Sequence, residues 1–271
     1  MDNKCETLRE LSLFAGAGGG ILGSKLLGWK TVCAVEINRY CQSILCRRQN
    51  EGYLPVFPIW DDIKTFDGKS WTGLIDVVSG GFPCQDISAA GKGKGLQGDK
   101  SSLWFEMLRI IREIRPRYAF IENSPMLIHR GLETILSNLN EIGYNAKWCI
   151  IGASNIGAPH HRKRLWLLAY TDKPGLERLS KTRKKEKPKP WNTCTHISDS
   201  SIFKNYVSVH DSDQNPQQTT AQKISWWETE PQLDRMANGV ANRVDRITAI
   251  GNGQVPVVAA VAWNTLIQKI E

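Results

Sequence analysis

The 271-residue sequence predicts an α/β fold built on a doubly wound, mostly parallel sheet, with a small second domain. Three observations carry this. Short apolar runs alternate with amphipathic stretches of helical period across residues 8–170, which is how a layered parallel sheet reads in sequence. A glycine-rich loop follows the first apolar run, and an acid closes the second. After Tyr170 the texture changes to a polar, basic stretch with no clear period, which marks a separate region.

The elements follow in order. Leu11–Phe14 is a short apolar strand, and Ala15–Gly20 is a glycine loop. A helix is expected over 21–27, closed by Gly28, then a strand over 31–36 and a helix over 39–49. The apolar run 74–79 reads as a buried strand. Leu103, Met107, Ile110, Ile111 and Ile114 share one helical face, with Ser101 or Ser102 as its cap and Pro116 as its stop. A strand is expected at 118–121, a helix over 131–142, strands near 148–152 and 165–170, and a last apolar helix over 255–270. No internal repeat is visible. The predicted domains are 1–170 plus 245–271, and 171–244.

Bulk properties narrow the function classes. An apolar content of 41% supports a packed core, and no uninterrupted apolar stretch reaches the ~20 residues of a membrane span. The first residues lack the pattern of a signal peptide. Seven scattered cysteines, with no CxxC pair and no zinc-like Cys/His spacing, fit free thiols in a reducing cytoplasm and predict no metal site. The net charge of +8 fits an anionic partner such as nucleic acid. The densest basic run, residues 181–189, taken alone reads better as a solvated linker.

Two groups of residues point to chemistry. The loop Phe14-Ala15-Gly16-Ala17-Gly18-Gly19 opens a helix, and Glu36 lies 20 residues after Gly16. Glycines admit a ligand close to the backbone, the helix N-terminus favours anions, and an acid at that distance suits ribose hydroxyls. The spacing is not GxGxxG, which argues against a dinucleotide. The second group is Gly80-Gly81-Phe82-Pro83-Cys84-Gln85, directly after the 74–79 run, at the kind of strand end where open α/β sheets place reactive groups. Taken alone, Cys84 fits a buried core thiol as well as a reactive one.

In order along the chain, these motifs resemble the DNA (cytosine-5) methyltransferase family. Phe14-Ala15-Gly16-x-Gly18-Gly19 is similar to its cofactor loop, Glu36 with Ile37 to its ribose-binding acid, and Asp62-Ile63 to its adenine-contacting pair. Gly81-Phe82-Pro83-Cys84-Gln85 is similar to its nucleophile motif. Glu122-Asn123 follows 38 residues after Cys84, Arg162-x-Arg164 comes next, and Gly251-Asn252-Gly253-Gln254-Val255-Pro256 resembles the last motif. Ser124 stands where the family has Val, His160 where it has Gln, and residues 234–246 match the family's penultimate motif poorly.

The resemblance implies a Rossmann-like methyltransferase fold with a small target-recognition domain and S-adenosylmethionine as cofactor. Phe14, Ala15, Gly16, Gly18, Gly19, Glu36, Ile37, Asp62, Ile63, Pro83, Asn252 and Gly253 would bind that cofactor. Cys84 would be the nucleophile, Glu122 the acid at the base, and Arg162 and Arg164 the charges around it. The implied substrate is double-stranded DNA with the target cytosine flipped out. Residues 86–100, with Lys92, Lys94 and Lys100, would cover the flipped base. A monomer acting in a bacterial or phage-infected cell, alongside a companion restriction endonuclease, is expected. A tRNA cytosine-5 methyltransferase and a silent DNA-binding paralogue use the same motifs, and a Rossmann oxidoreductase uses the same fold.

Overall fold

A computed structural model describes residues 7–83, 103–171 and 243–270, all within one compact unit. Its centre is a seven-stranded sheet of order β3-β2-β1-β4-β5-β7-β6. The strands are β1 (Arg9–Leu13), β2 (Lys30–Val35), β3 (Ile59–Trp60), β4 (Val77–Gly80), β5 (Tyr118–Asn123), β6 (Asn145–Ile151) and β7 (Arg164–Tyr170). Every pair from β3 to β5 is parallel. β7 runs antiparallel to both β5 and β6. The connections step outward from β1 to β3, then return to the other side of β1, so the crevice at the carboxyl ends of β1 and β4 is the switch point where ligands of such sheets bind.

The helices are α1 (Gly19–Leu26), α2 (Arg39–Asn50), α3 (Leu103–Ile114), α4 (Leu127–Arg130), α5 (Leu132–Glu141), α6 (Arg243–Asn252) and α7 (Pro256–Ile267). Alternation along each strand divides the sheet into two faces. Leu11, Leu13, Val78, Ile121, Leu165 and Leu167 turn toward the apolar faces of α3 and α5. The opposite face meets α1 and α7, where the Trp263 ring makes edge contacts with Trp29, Tyr118 and Phe120 at 4.5–5.5 Å. No helix among the described residues is long and apolar enough to cross a membrane.

Two elements depart from the sequence reading. The strand expected at 74–79 occupies 77–80 instead. Leu74 stands in a turn, half exposed, and Asp76 is drawn out to Arg9, whose guanidinium it binds at 2.9 and 3.0 Å. The helix α6 was not expected, because Asp245 and Arg246 interrupt its apolar pattern and the exposed Val244 and Ile250 do not form a buried stripe.

On the α1 face lies one fully buried acid, Glu10. It accepts hydrogen bonds from Ser24 Oγ (2.6 Å), Thr31 Oγ1 (2.6 Å) and Ser79 Oγ (2.5 Å), so a single carboxylate ties β1 to α1, β2 and β4. Burial pushes its pKa above the usual carboxylate range, and the three hydroxyls pull it back only in part.

Candidate active site

Every predicted site residue among those described lies at the carboxyl ends of the parallel strands or in segments leading to them. The first wall is the loop between β1 and α1. Phe14, Gly16 and Gly18 all take positive φ, at 53°, 56° and 92°, which swings the backbone sharply between strand and helix. The Gly16 N–H donates to Glu36 Oε2 at 2.6 Å, and the Asn38 N–H donates to Oε1 at 2.8 Å. The Glu36 carboxylate is therefore held rigidly at the end of β2, with lone pairs left for hydroxyl donors. Gly18 stands at the N-cap of α1 and offers no side-chain acceptor to the first N–H groups of that helix.

The glycines of this loop answer to different neighbours. A Cβ at Gly16 would meet nothing within 4 Å, which is the open face a ligand needs. A Cβ at Gly18 would lie 2.9 Å from Leu45 Cδ2. At Gly19 it would collide with the backbone oxygen of Gln254, and at Gly20 it would lie 2.6 Å from Gln254 Oε1. Open space thus adjoins Gly16, whereas at Gly19 and Gly20 the missing side chain leaves room for Gln254.

Farther along the edge, Ile37 is exposed at the exit of β2. Asp62 caps a short 3-10 turn by accepting from the Lys64 N–H at 2.9 Å. The Ile63 side chain packs into the core and its carbonyl is taken by Arg109 at 2.8 Å, so Asp62 is the part of that pair that faces outward.

The second wall centres on Glu122, buried near the end of β5. Because β7 is antiparallel to β5, its first residue returns to the same end of the sheet, and Arg164 Nε reaches Glu122 Oε1 at 2.8 Å. The Gln254 amide stands beside this carboxylate, since Gln254 Nε2 and Glu122 Oε2 both border the place a Cβ of Gly81 would take. Burial pushes the Glu122 pKa above the usual carboxylate range, against the charges of Arg164 and Arg162 and the bonds from Arg164 and Gln254. A carboxyl so placed holds a proton more readily than an exposed one.

Asn123, next in sequence, donates through Nδ2 to the Phe82 carbonyl at 3.2 Å, and so fixes the turn that follows β4. Phe82 is buried against Trp104 with ring centroids 5.7 Å apart. Pro83 is the last described residue of this turn. Cys84 lies outside the described residues, as do Ser101, Ser102 and the 86–100 segment with its lysines. Ser124 closes the turn after β5, its hydroxyl accepting from the Met126 N–H at 3.3 Å.

Arg162 does not stand as an isolated charge. Its Nη2 donates to the Gly251 carbonyl at 2.8 Å and to the Gly253 carbonyl, anchoring the segment between α6 and α7. Its own φ of 30° is strained for a residue with a side chain. Asn252 stands exposed at the end of α6, and it is Gln254, two residues on, that reaches Gly19 and Gly20. In sequence Gln254 stands only as a member of the last motif, with no role of its own, because its contacts show there only as the smallness of glycines more than 200 positions away.

Comparison with known proteins identifies the family and the fold. A family model described as C-5 cytosine-specific DNA methylase matches residues 8–269. The chain is 36% identical over 165 residues to the type II methyltransferase M.CviJI of Paramecium bursaria Chlorella virus IL3A, covering 60% of this chain and 43% of that protein. It is 28% identical over 202 residues to the type II methyltransferase M.HhaI of Haemophilus parahaemolyticus, covering 73% of this chain and 58% of the relative. The chain thus spans about half the length of these curated relatives. The solved structure of the Entamoeba histolytica methyltransferase EhMeth shares the fold, with a TM-score of 0.50 and 20% identity over 61% of this chain and 53% of that one.

Proposed function

The chain belongs to the C-5 cytosine-specific DNA methylase family, and from that premise we propose that it transfers a methyl group from S-adenosylmethionine to C5 of a cytosine flipped out of duplex DNA. The observation that carries the proposal is a convergence at one end of the sheet. The buried Glu122–Arg164 pair, the turn after β4 up to Pro83, which Cys84 follows in sequence, and the Gly16–Glu36 cradle all lie at the carboxyl ends of the parallel strands.

The cradle fits the cofactor on two counts: the open face at Gly16 and the Glu36 carboxylate fixed to accept ribose hydroxyls. When bound there, S-adenosylmethionine supplies the electrophilic methyl group. Cytosine C5 is too weak a nucleophile to take it directly. The Cys84 thiolate therefore forms a bond to C6, which gives C5 enamine character. Glu122 supports this step by sharing its proton with N3 of the ring, a role its raised pKa favours. Arg164 keeps that carboxyl oriented, and Arg162 adds positive charge where the adduct gains electrons. After the methyl group reaches C5, the C5 proton passes to water, its bonding electrons re-form the C5–C6 double bond and expel the Cys84 thiolate, and N3 returns its proton to Glu122.

Residues 171–244 would read the target, with the run 181–189 adding phosphate affinity. Monomeric action in a bacterial or phage-infected cell, beside a companion restriction endonuclease, belongs to the same proposal. The test is transfer of tritiated methyl groups to duplex DNA and, in parallel, to tRNA. Label in DNA and none in tRNA is expected, with transfer abolished in Cys84→Ser. Label confined to tRNA, or persisting in that variant, would contradict the proposal.

A further inference from the structure

We propose that Gln254 is a positioning residue that joins the cofactor helix α1 to the acid Glu122, and that through it the segment 251–254 completes the active site. The inference rests on the reading of Glu122 as the group acting at the base. Gln254 sits where three remote segments meet. Its backbone oxygen and Oε1 abut the positions of Gly19 and Gly20, and its Nε2 lies 3.4 Å from where a Cβ of Gly81 would stand, so that its amide stands beside the Glu122 carboxylate.

A Cβ at Gly81 would also lie 2.5 Å from Glu122 Oε2. Glycine at 19, 20 and 81 therefore forms a slot into which the Gln254 amide and the Glu122 carboxylate both fit. Arg162 clips the preceding carbonyls of Gly251 and Gly253, which fixes the approach of Gln254 into that slot. A glutamine suits the place because its amide presents a donor at one corner and an acceptor at the other. Displacement of the first turn of α1 must move the Gln254 backbone that lies against Gly19, and with it one of the donors on Glu122.

The charged groups facing Glu122 are Arg164 on β7 and Arg162 just before it. Removing Gln254 leaves both and takes away one donor to the ionised carboxylate, so the Glu122 pKa rises further. The test uses Gln254→Met, which keeps length and removes the amide, and Gln254→Glu, which keeps a polar end. In Gln254→Met the alkaline limb of the kcat profile is expected to move up by about one pH unit, the scale of a single hydrogen bond.

A second readout is independent of turnover. The thermal-stability deficit of Gln254→Met should grow with rising pH, because the charged form of Glu122 loses its donor, and that growth should vanish in a Glu122→Gln background. A deficit equal at all pH values, with an unmoved kcat profile, would reduce Gln254 to packing and overturn the proposal. If the unaltered chain methylates no nucleic acid, the functional reading fails, while the melting series still decides whether Gln254 and Glu122 are coupled.

Discussion

Gly19→Ala should destabilise the protein without touching the ligand face of the loop, whereas Gly16→Ala should act on that face and cost stability only through its positive φ. The added methyl at position 19 would drive into the Gln254 carbonyl, whose carbon and whose amide nitrogen lie 3.2 Å from the new Cβ. The obstacle is backbone, anchored on one side by Arg162 and on the other by α7, so it cannot swing away as a flexible side chain would. Overpacking of this kind costs about 1–3 kcal/mol. At roughly 2–4 °C per kcal/mol for a domain of this size, Tm should fall by about 2–12 °C. At position 16 the methyl meets nothing within 4 Å, and only the positive φ opposes it, a strain of about 1–2 kcal/mol. Differential scanning calorimetry with calorimetric titration of S-adenosylhomocysteine separates the two. Gly16→Ala should lose most of its ligand affinity because the methyl occupies the open face. A Gly19→Ala protein that melts within a degree of the unaltered chain, or a Gly16→Ala protein with full affinity, would refute the division of labour among these glycines.

Three further outcomes are expected. Arg164→Gln leaves the buried Glu122 without the cation at 2.8 Å, and breaking such a pair costs about 3–5 kcal/mol near neutral pH. The deficit should shrink as pH falls and Glu122 takes up a proton, which urea denaturation at pH 5 and pH 8 checks; a deficit larger at pH 5 would contradict the assignment. Glu10→Gln should flatten the dependence of stability on pH. Because burial raises the folded-state pKa of Glu10, its stability contribution is full below the ordinary carboxylate value of 4.5 and is lost as pH rises through the folded value. Glu10→Ala strands the hydroxyls of Ser24, Thr31 and Ser79 without their acceptor, at about 1–3 kcal/mol for each that stays unpaired, and should unfold at lower urea than Glu10→Gln.

The layered fold was legible because its evidence is local. Short apolar runs mark β1, β2 and β5, and a single helical stripe marks α3. The strand at β4 was mislocated by three residues because Leu74 and Ile75 look like strand residues, while the Arg9–Asp76 pair that ends the turn is a long-range contact. The site was legible as a set of motifs and less so as a set of contacts. Glu36 beside Gly16 follows from spacing. The antiparallel direction of β7, which brings Arg164 to Glu122, does not, since strand direction is decided by how the chain returns and leaves no local trace. Gln254 and Glu10 were missed for the same reason. A glutamine in a tail and an acid in a strand acquire meaning only from partners that the fold brings to them.

The central claim is that this chain methylates cytosine at C5 in DNA through the group of residues around Glu122 and Cys84. Bisulfite sequencing of DNA from cells expressing the chain tests it most directly. Cytosines within a recurring short sequence should resist conversion, and the protection should disappear in cells expressing Cys84→Ser. Complete conversion with the unaltered chain expressed and folded, or protection that survives in the Cys84→Ser variant, would contradict it.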